Sequence, residues 1–556
     1  MKGKYKNMKI KNAEIKKFFQ CDILVAGGGI GGLIAAKKSA DMGKKVILVS
    51  NGKLFGGASY FPLKGTLGIQ ATAPEKEDKK LFFEDIRGIG KGMDNPHMIN
   101  AYIENIRESV GYLDEIGFKP WLRKDRRPAC FAKYARDIYL INEWDKAREK
   151  GKKIFENIEN IQIIENSRII YILKENEKTA GAVFQNEEGE FFIVKSSTVI
   201  MATGGVGGLY EHNLYPKDVD GSGHIVMLDA GAEVQNMEFI QFIPAFIKPV
   251  YNTLFGEHTL KYCTGMYDLN GNLLYEGEKN RDMWLERSAY APFSCDFRCF
   301  EIDLKMVECQ EGVKLKFSKE LYKDKGEFYV VYLNWLKENM GIDMCRDEVI
   351  ISPFAHSCNG GVRTSDCGET KVQGLFAAGE LLSGVEGANR LGGNSVGGAL
   401  VFGKRAAEKA CEYIENLSEE RISDNMLKEK FENWLINSFD ENTDDKLSKS
   451  EILQKVKKLV TEKGGIKRNQ KLLEEGLSEI ENLQKSYNIL NHLEENSLEV
   501  YFKTEAAKML LTAMINRKES RGAHYREDFP KKSEELYRII ISKENNSIKI
   551  KKDVLI

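Results

Sequence analysis

Among the ten cysteines of this 556-residue chain no two form a Cys-x-x-Cys pair, and only Cys295 and Cys299 have as few as three residues between them. A disulfide framework, a c-type haem and an iron–sulphur cluster held by this chain are therefore not expected, and no metal site is predicted. No apolar run approaches the roughly 18 residues of a membrane span, and Met1 to Phe19 lacks the apolar core of a secretory signal. These absences predict a cytoplasmic protein with no membrane contact. Neither sign of charge is in excess: 82 Lys and Arg stand against 83 Asp and Glu, a net charge of −1. That balance gives no reason to expect nucleic acid. The one basic stretch (Lys2, Lys4, Lys6, Lys9 and Lys11) reads as a solvated tail over residues 1–16.

What is present is 42% hydrophobic residues, enough for large cores in roughly two to four domains. The short apolar run Cys21-Asp22-Ile23-Leu24-Val25 feeds Ala26 and then Gly27-Gly28-Gly29-Ile30-Gly31-Gly32. A helix is predicted over Leu33 to Gly43, and a second apolar strand over Lys45 to Val49. Together they make a β-α-β unit of about thirty residues, the context in which Gly-x-Gly-x-x-Gly binds a dinucleotide. Gly27 permits the turn, Gly29 lets pyrophosphate approach the backbone, and Gly32 allows close helix packing. The second strand ends in Ser50 and Asn51 where an NAD site would carry an acid, so the ribose contact is a hydroxyl.

A second glycine-rich segment lies far downstream. The strand Leu375 to Ala378 ends at Gly379-Glu380, a loop carries Asn389-Arg390, and Gly392-Gly393-Asn394-Ser395-Val396 opens a helix whose bare N–H groups can face a flavin carbonyl. A buried strand, Ser197 to Ala202, ends in Thr203-Gly204-Gly205, and Asp220-Gly221-Ser222-Gly223 follows. Near the C-terminus stands Glu519-Ser520-Arg521-Gly522-Ala523-His524-Tyr525-Arg526-Glu527-Asp528-Phe529-Pro530. In these motifs, and over nearly its whole length, the chain resembles the succinate dehydrogenase/fumarate reductase flavoproteins, the FAD-dependent oxidoreductase 2 type that includes L-aspartate oxidase.

The resemblance implies an α/β fold: a Rossmann-like FAD-binding domain (17–237 and 353–415), an inserted α+β capping domain (238–352) and a C-terminal helical bundle (416–545). It implies FAD held by Gly27, Gly29, Ile30, Gly31, Gly32, Ser50, Asn51, Gly57, Ala58, Ser59, Thr203, Gly204, Gly205, Asp220, Glu380, Arg390, Asn394, Ser395 and Val396. The respiratory enzymes attach flavin to a histidine between the second strand and a Gly-Gly turn. Ser50 to Gly57 holds none, so noncovalent FAD is expected. Lys64 stands where a cation could favour reduced flavin.

Family enzymes exchange a hydride with a small carboxylate while a cap arginine carries the proton and a histidine and second arginine clamp the substrate. Arg390 matches the second arginine and His356 the histidine. For the proton-transfer arginine Arg281, Arg287 and Arg298 all qualify, upstream of a strand-like Cys299 to Leu304, and Arg287 fits best. Two departures bear on substrate. The family's Gln-Phe-His-Pro reads Gln241-Phe242-Ile243-Pro244 here, and its Thr-Glu has no clean match, with His258-Thr259-Leu260 nearest. Fumarate and succinate are therefore disfavoured against an acid with an apolar substituent. The expected partners are a small organic acid and an unidentified electron donor or acceptor. Alternatives are an amino-acid oxidase resembling L-aspartate oxidase, and a flavin-binding protein without turnover.

Overall fold

Strands buried on both faces are continuous apolar runs, and two of them, Ile23–Ala26 and Val46–Val49, form the centre of a parallel sheet. The computed structural model describes residues 13–60, 65–125, 127–290, 292–417, 423–440 and 442–555. Lys64 and residues 1–12 of the basic arm lie outside the described residues. The sheet order is Leu375–Ala377, Val199–Met201, Ile23–Ala26, Val46–Val49 and Ile161–Ile164, all parallel. Residues from opposite ends of the sequence thus become neighbours: Val199 pairs with both Leu24 and Leu375. Helix Ile30–Asp41 packs directly against helix Asn394–Glu415, with Gly403 and Gly31 allowing close approach.

The tail expected over residues 1–16 ends earlier than its boundary. Ile15–Gln20 is a strand paired parallel to Phe191–Lys195 in a four-stranded sheet, with Ile15 buried. Five closely spaced lysines masked the alternation that begins there.

From Ile240 to Cys358 the chain builds a six-stranded antiparallel sheet ordered Thr253–Leu254, Ile240–Lys248, Val349–Cys358, Val313–Phe317, Cys263–Tyr267 and Leu273–Glu276. The two longest strands, Ile240–Lys248 and Val349–Cys358, are the way in and the way out of this insertion, and they pair with each other. Cys299 to Leu304, which alternates like a strand, is instead the N-cap and first five residues of helix Phe300–Glu308. Its buried set is Phe300, Ile302, Asp303 and Met306, and an acid that reads as solvent-facing turns inward.

Four helices follow: Asp424–Ser438, Lys449–Gly464, Gln470–Gln484 and Leu498–Asn516. The expected bundle does not continue as helix to residue 545. Tyr537–Glu544 and Ser547–Val554 form a hairpin whose inner strand pairs with Val234–Gln235, so the C-terminus joins a sheet with the nucleotide-binding part of the chain. The outer strand exposes Lys549, Lys551 and Lys552, charges that blunt an open sheet edge.

Candidate active site

A long cleft runs from the turn after Ile23–Ala26 to the insertion's two longest strands. At its first end helix Ile30–Asp41 starts on Gly29, which offers no side-chain cap, so first-turn N–H groups remain for a ligand. Gly27 has φ +128°, and a Cβ there would strike the Ala202 carbonyl. Gly57 sits so close that an added Cβ would lie 2.7 Å from Gly29 Cα. Gly27, Gly29, Ile30, Gly31, Gly57, Ala58 and Ser59 all line the cleft, as do Ser50 and Asn51. Gly32 stands behind the wall, packed on the Gly27 carbonyl.

Further along, Thr203, Gly204 and Glu380 face the cleft, and the Thr203 hydroxyl is buried without a hydrogen-bond partner among the described residues. The Glu380 carboxylate accepts from the Cys358 N–H at 2.9 Å and from the Tyr215 hydroxyl. Burial raises its pKa. Gly205 lies back from the wall, where a Cβ would come 2.6 Å from Glu380 Oε1. Asp220 also stands back. It pairs with Arg168 at 3.2 Å and accepts from the Ser222 N–H at 3.2 Å. Burial alone would raise its pKa, but Arg168 and Lys503 hold it below the usual carboxylate range. Arg168, which sequence reasoning missed, is the group of that pair on the wall.

The second helix start, Gly393 at φ +87°, again has no side-chain cap, and Ser395 and Val396 follow it on the wall. Asn394 is buried behind them and accepts from the Tyr102 hydroxyl at 3.3 Å. A glycine floor, two uncapped helix starts and the orphan Thr203 hydroxyl are donors and clearances that fit FAD.

At the far end the residues come from the paired strands. Gln241 Oε1 accepts from Arg390 Nε at 3.0 Å, and Arg390 Nη2 lies 3.0 Å from His356 Nε2. Gln241 faces Ser357 while Phe242 faces Ala355, leaving His356 as the extra residue of a β-bulge. Bulges re-aim side chains, and this one accompanies His356 on the cleft wall beside Arg390. Burial lowers the Arg390 pKa, against the pull of Glu386 and Glu380.

Of the three cap arginines, Arg281 and Arg298 are exposed and Arg287 is enclosed. Arg287 Nε bonds Asp303 Oδ1 at 2.6 Å, and Nη1 bonds the Tyr290 carbonyl at 2.8 Å. It is not on the cleft wall. Glu257 is, together with His258 and Cys130. Burial pushes Glu257 up to about 8, against the pull of Arg287, and its Oε1 is buried without a hydrogen-bond partner among the described residues. Burial and the Lys261 charge push His258 down to about 3. From sequence the family's Thr-Glu has no clean match, and His258-Thr259-Leu260 is only the nearest by position. The missed signal was an acid, Glu257, following the uncharged pair Phe255-Gly256.

A family model described as "FAD binding domain" matches residues 22–259 and 337–396, and one described as "Fumarate reductase flavoprotein C-term" matches 453–553. The chain is 28% identical over 550 residues to a subunit of the fumarate reductase (CoM/CoB) of Methanothermobacter marburgensis, covering 94% of this chain and 97% of that one. It is 29% identical over 536 residues to an L-aspartate oxidase of Saccharolobus solfataricus, covering 92% and 97%. Among solved structures it resembles the FrdA chain of an E. coli quinol fumarate reductase, with a TM-score of 0.78 and 22% identity over 97% of each chain.

Proposed function

This chain belongs to the family of FAD-dependent oxidoreductases that contains the fumarate reductase flavoproteins, and on that premise we propose that it exchanges a hydride with a carbon of a small organic acid. The observation that supports this reading is the Arg390–His356 pair, held by Gln241 at the far end of the same cleft that fits FAD. FAD, bound without a covalent link, would supply the two-electron hydride chemistry. Arg390 binds the substrate carboxylate through its guanidinium, the Gln241 contact fixes the angle of that guanidinium, and the Asn389 amide oxygen accepts from both the Gln241 side chain and the Arg390 backbone N–H. His356 completes the clamp. Arg287 lies on the path of the proton that accompanies the hydride, linked to the cleft by Glu257, which is on the wall and releases its own proton near pH 8.

A second reading, oxidation of an amino acid, draws on the likeness to an L-aspartate oxidase. One experiment separates them. Under anaerobic conditions the reduced holoenzyme is mixed with a panel of enoic acids, and the oxidised holoenzyme with amino acids and saturated acids. We expect rapid flavin reoxidation by an enoic acid. Bleaching by an amino acid alone moves the assignment to an oxidase, and silence with every acid overturns both. Arg287→Ala should keep FAD and lose at least about 100-fold in turnover. Activity within a few fold of wild type removes Arg287 from the proton path.

A further inference from the structure

Strand Ile240–Lys248 gives the substrate end a direction. Gln241 and Ile243 are two residues apart and share a face, so Ile243 stands about 7 Å along the strand from the group that holds Arg390. Ile243 is 2% exposed, packs with Leu214, Ala245 and Phe354, and reaches the cleft wall. An acid clamped at Arg390 and extending along this strand therefore meets hydrocarbon at its other end.

Charge says the same. Arg287, behind the wall, is already matched by Asp303, His258 is uncharged, and apart from Arg390 and His356 themselves the cationic residues on the described wall, Lys53 and Arg168, sit at the dinucleotide end. What does face this end is Glu257, 7% exposed with Oε1 unpartnered, beside Cys130. A protonated carboxyl donates one hydrogen bond and accepts others, which suits a neutral polar group and opposes a second carboxylate.

Resting on the reading of Arg390 and His356 as the carboxylate clamp, we infer that the substrate is a monocarboxylate carrying a neutral hydrogen-bonding group, an amide, hydroxyl or ketone, which meets Glu257 beside the Ile243 wall. Glu257 and Ile243 are then the residues that set specificity.

The test uses the oxidised holoenzyme and two matched pairs, succinate with succinamate and fumarate with fumaramate, titrated at pH 7 while flavin absorbance is followed. Each monoamide should bind about tenfold or more tightly than its dicarboxylate. Ile243→His, which adds a donor to the wall, should shrink that ratio. The groups facing Glu257 are Arg287, Asp303, Cys130 and Tyr332. Binding of succinamate should weaken in wild type as pH rises through about 8, and hold steady in Glu257→Gln. Equal or tighter binding of the dicarboxylates overturns the inference while leaving the hydride reading standing, as does an unchanged pH fall in Glu257→Gln. If neither pair perturbs the bound flavin, the clamp reading fails and this inference fails with it.

Discussion

Glu257 shows what one residue hides from sequence and what its burial predicts. A lone glutamate reads as surface, yet this one is enclosed and holds its proton up to about 8. Between the ordinary carboxylate range and that value the folded protein keeps a proton that the unfolded chain has released. Folded-state affinity for the proton is the higher one, so this group's contribution to stability is intact at low pH and is lost as pH rises through that window. Glu257→Gln removes the dependence. The variant should be stabilised relative to wild type by an amount that grows from pH 5 to pH 8, on the order of a few kcal/mol at the upper end. Urea midpoints of the two proteins at pH 5, 6.5 and 8 check this, and a constant difference would contradict it. Arg390 and His356 were legible because each stands in a glycine-marked string. Glu257, Cys130 and Arg168 carry no such mark, since only the folded backbone brings them to the wall.

At the scale of elements, what sequence made visible were pieces with a single environment. Strands Ile23–Ala26, Val46–Val49 and Val199–Met201 are wholly buried and read as uninterrupted apolar runs. Helix Ile30–Asp41 starts three residues before the expected Leu33, because Gly31 and Gly32 look like turn residues but are helical, chosen for contact with Gly379 and Gly27. Helix Phe300–Glu308 was misread because Asp303 is buried to pair with Arg287. The glycine contacts yield a prediction about an element's N-terminus. In Gly57→Ala the new methyl would stand 2.7 Å from Gly29 Cα, at the cap of helix Ile30–Asp41, and the two backbones must part. The fold should survive, with far-UV circular dichroism unchanged, while FAD affinity falls by about tenfold or more, the equivalent of about 1.4 kcal/mol. Equal FAD retention through gel filtration would show that the floor tolerates the shift.

The molecule as a whole is tied together by charges buried at the meeting of its parts. Arg517, fully enclosed two residues before the C-terminal string, pairs with Glu238, two residues before the insertion's first long strand, and with Glu519 at 2.8 Å. Arg468 bonds the Glu238 carbonyl at 2.8 Å and His524 Nδ1 at 2.6 Å, and burial lowers its pKa to about 10. Three cationic neighbours and burial hold His524 neutral. The Ala523 N–H bonds the Ala388 carbonyl at 3.0 Å, two residues before Arg390, and the Cys295 N–H bonds the Gly522 carbonyl at 3.0 Å. The C-terminal string therefore touches both the loop that carries Arg390 and the insertion. Its sequence announced a family, whereas its physical task is visible only in these contacts. Breaking a buried pair leaves an uncompensated charge, so Glu238→Ala should cost about 3–5 kcal/mol. Because the terminal hairpin shares a sheet with Val234–Gln235, that loss should not be confined to the C-terminal part. On heating, flavin release followed by fluorescence and helix loss followed by circular dichroism should move down together and stay coincident. A flavin transition that keeps its wild-type midpoint while helix content melts early would mean that the C-terminal region unfolds as a separate unit.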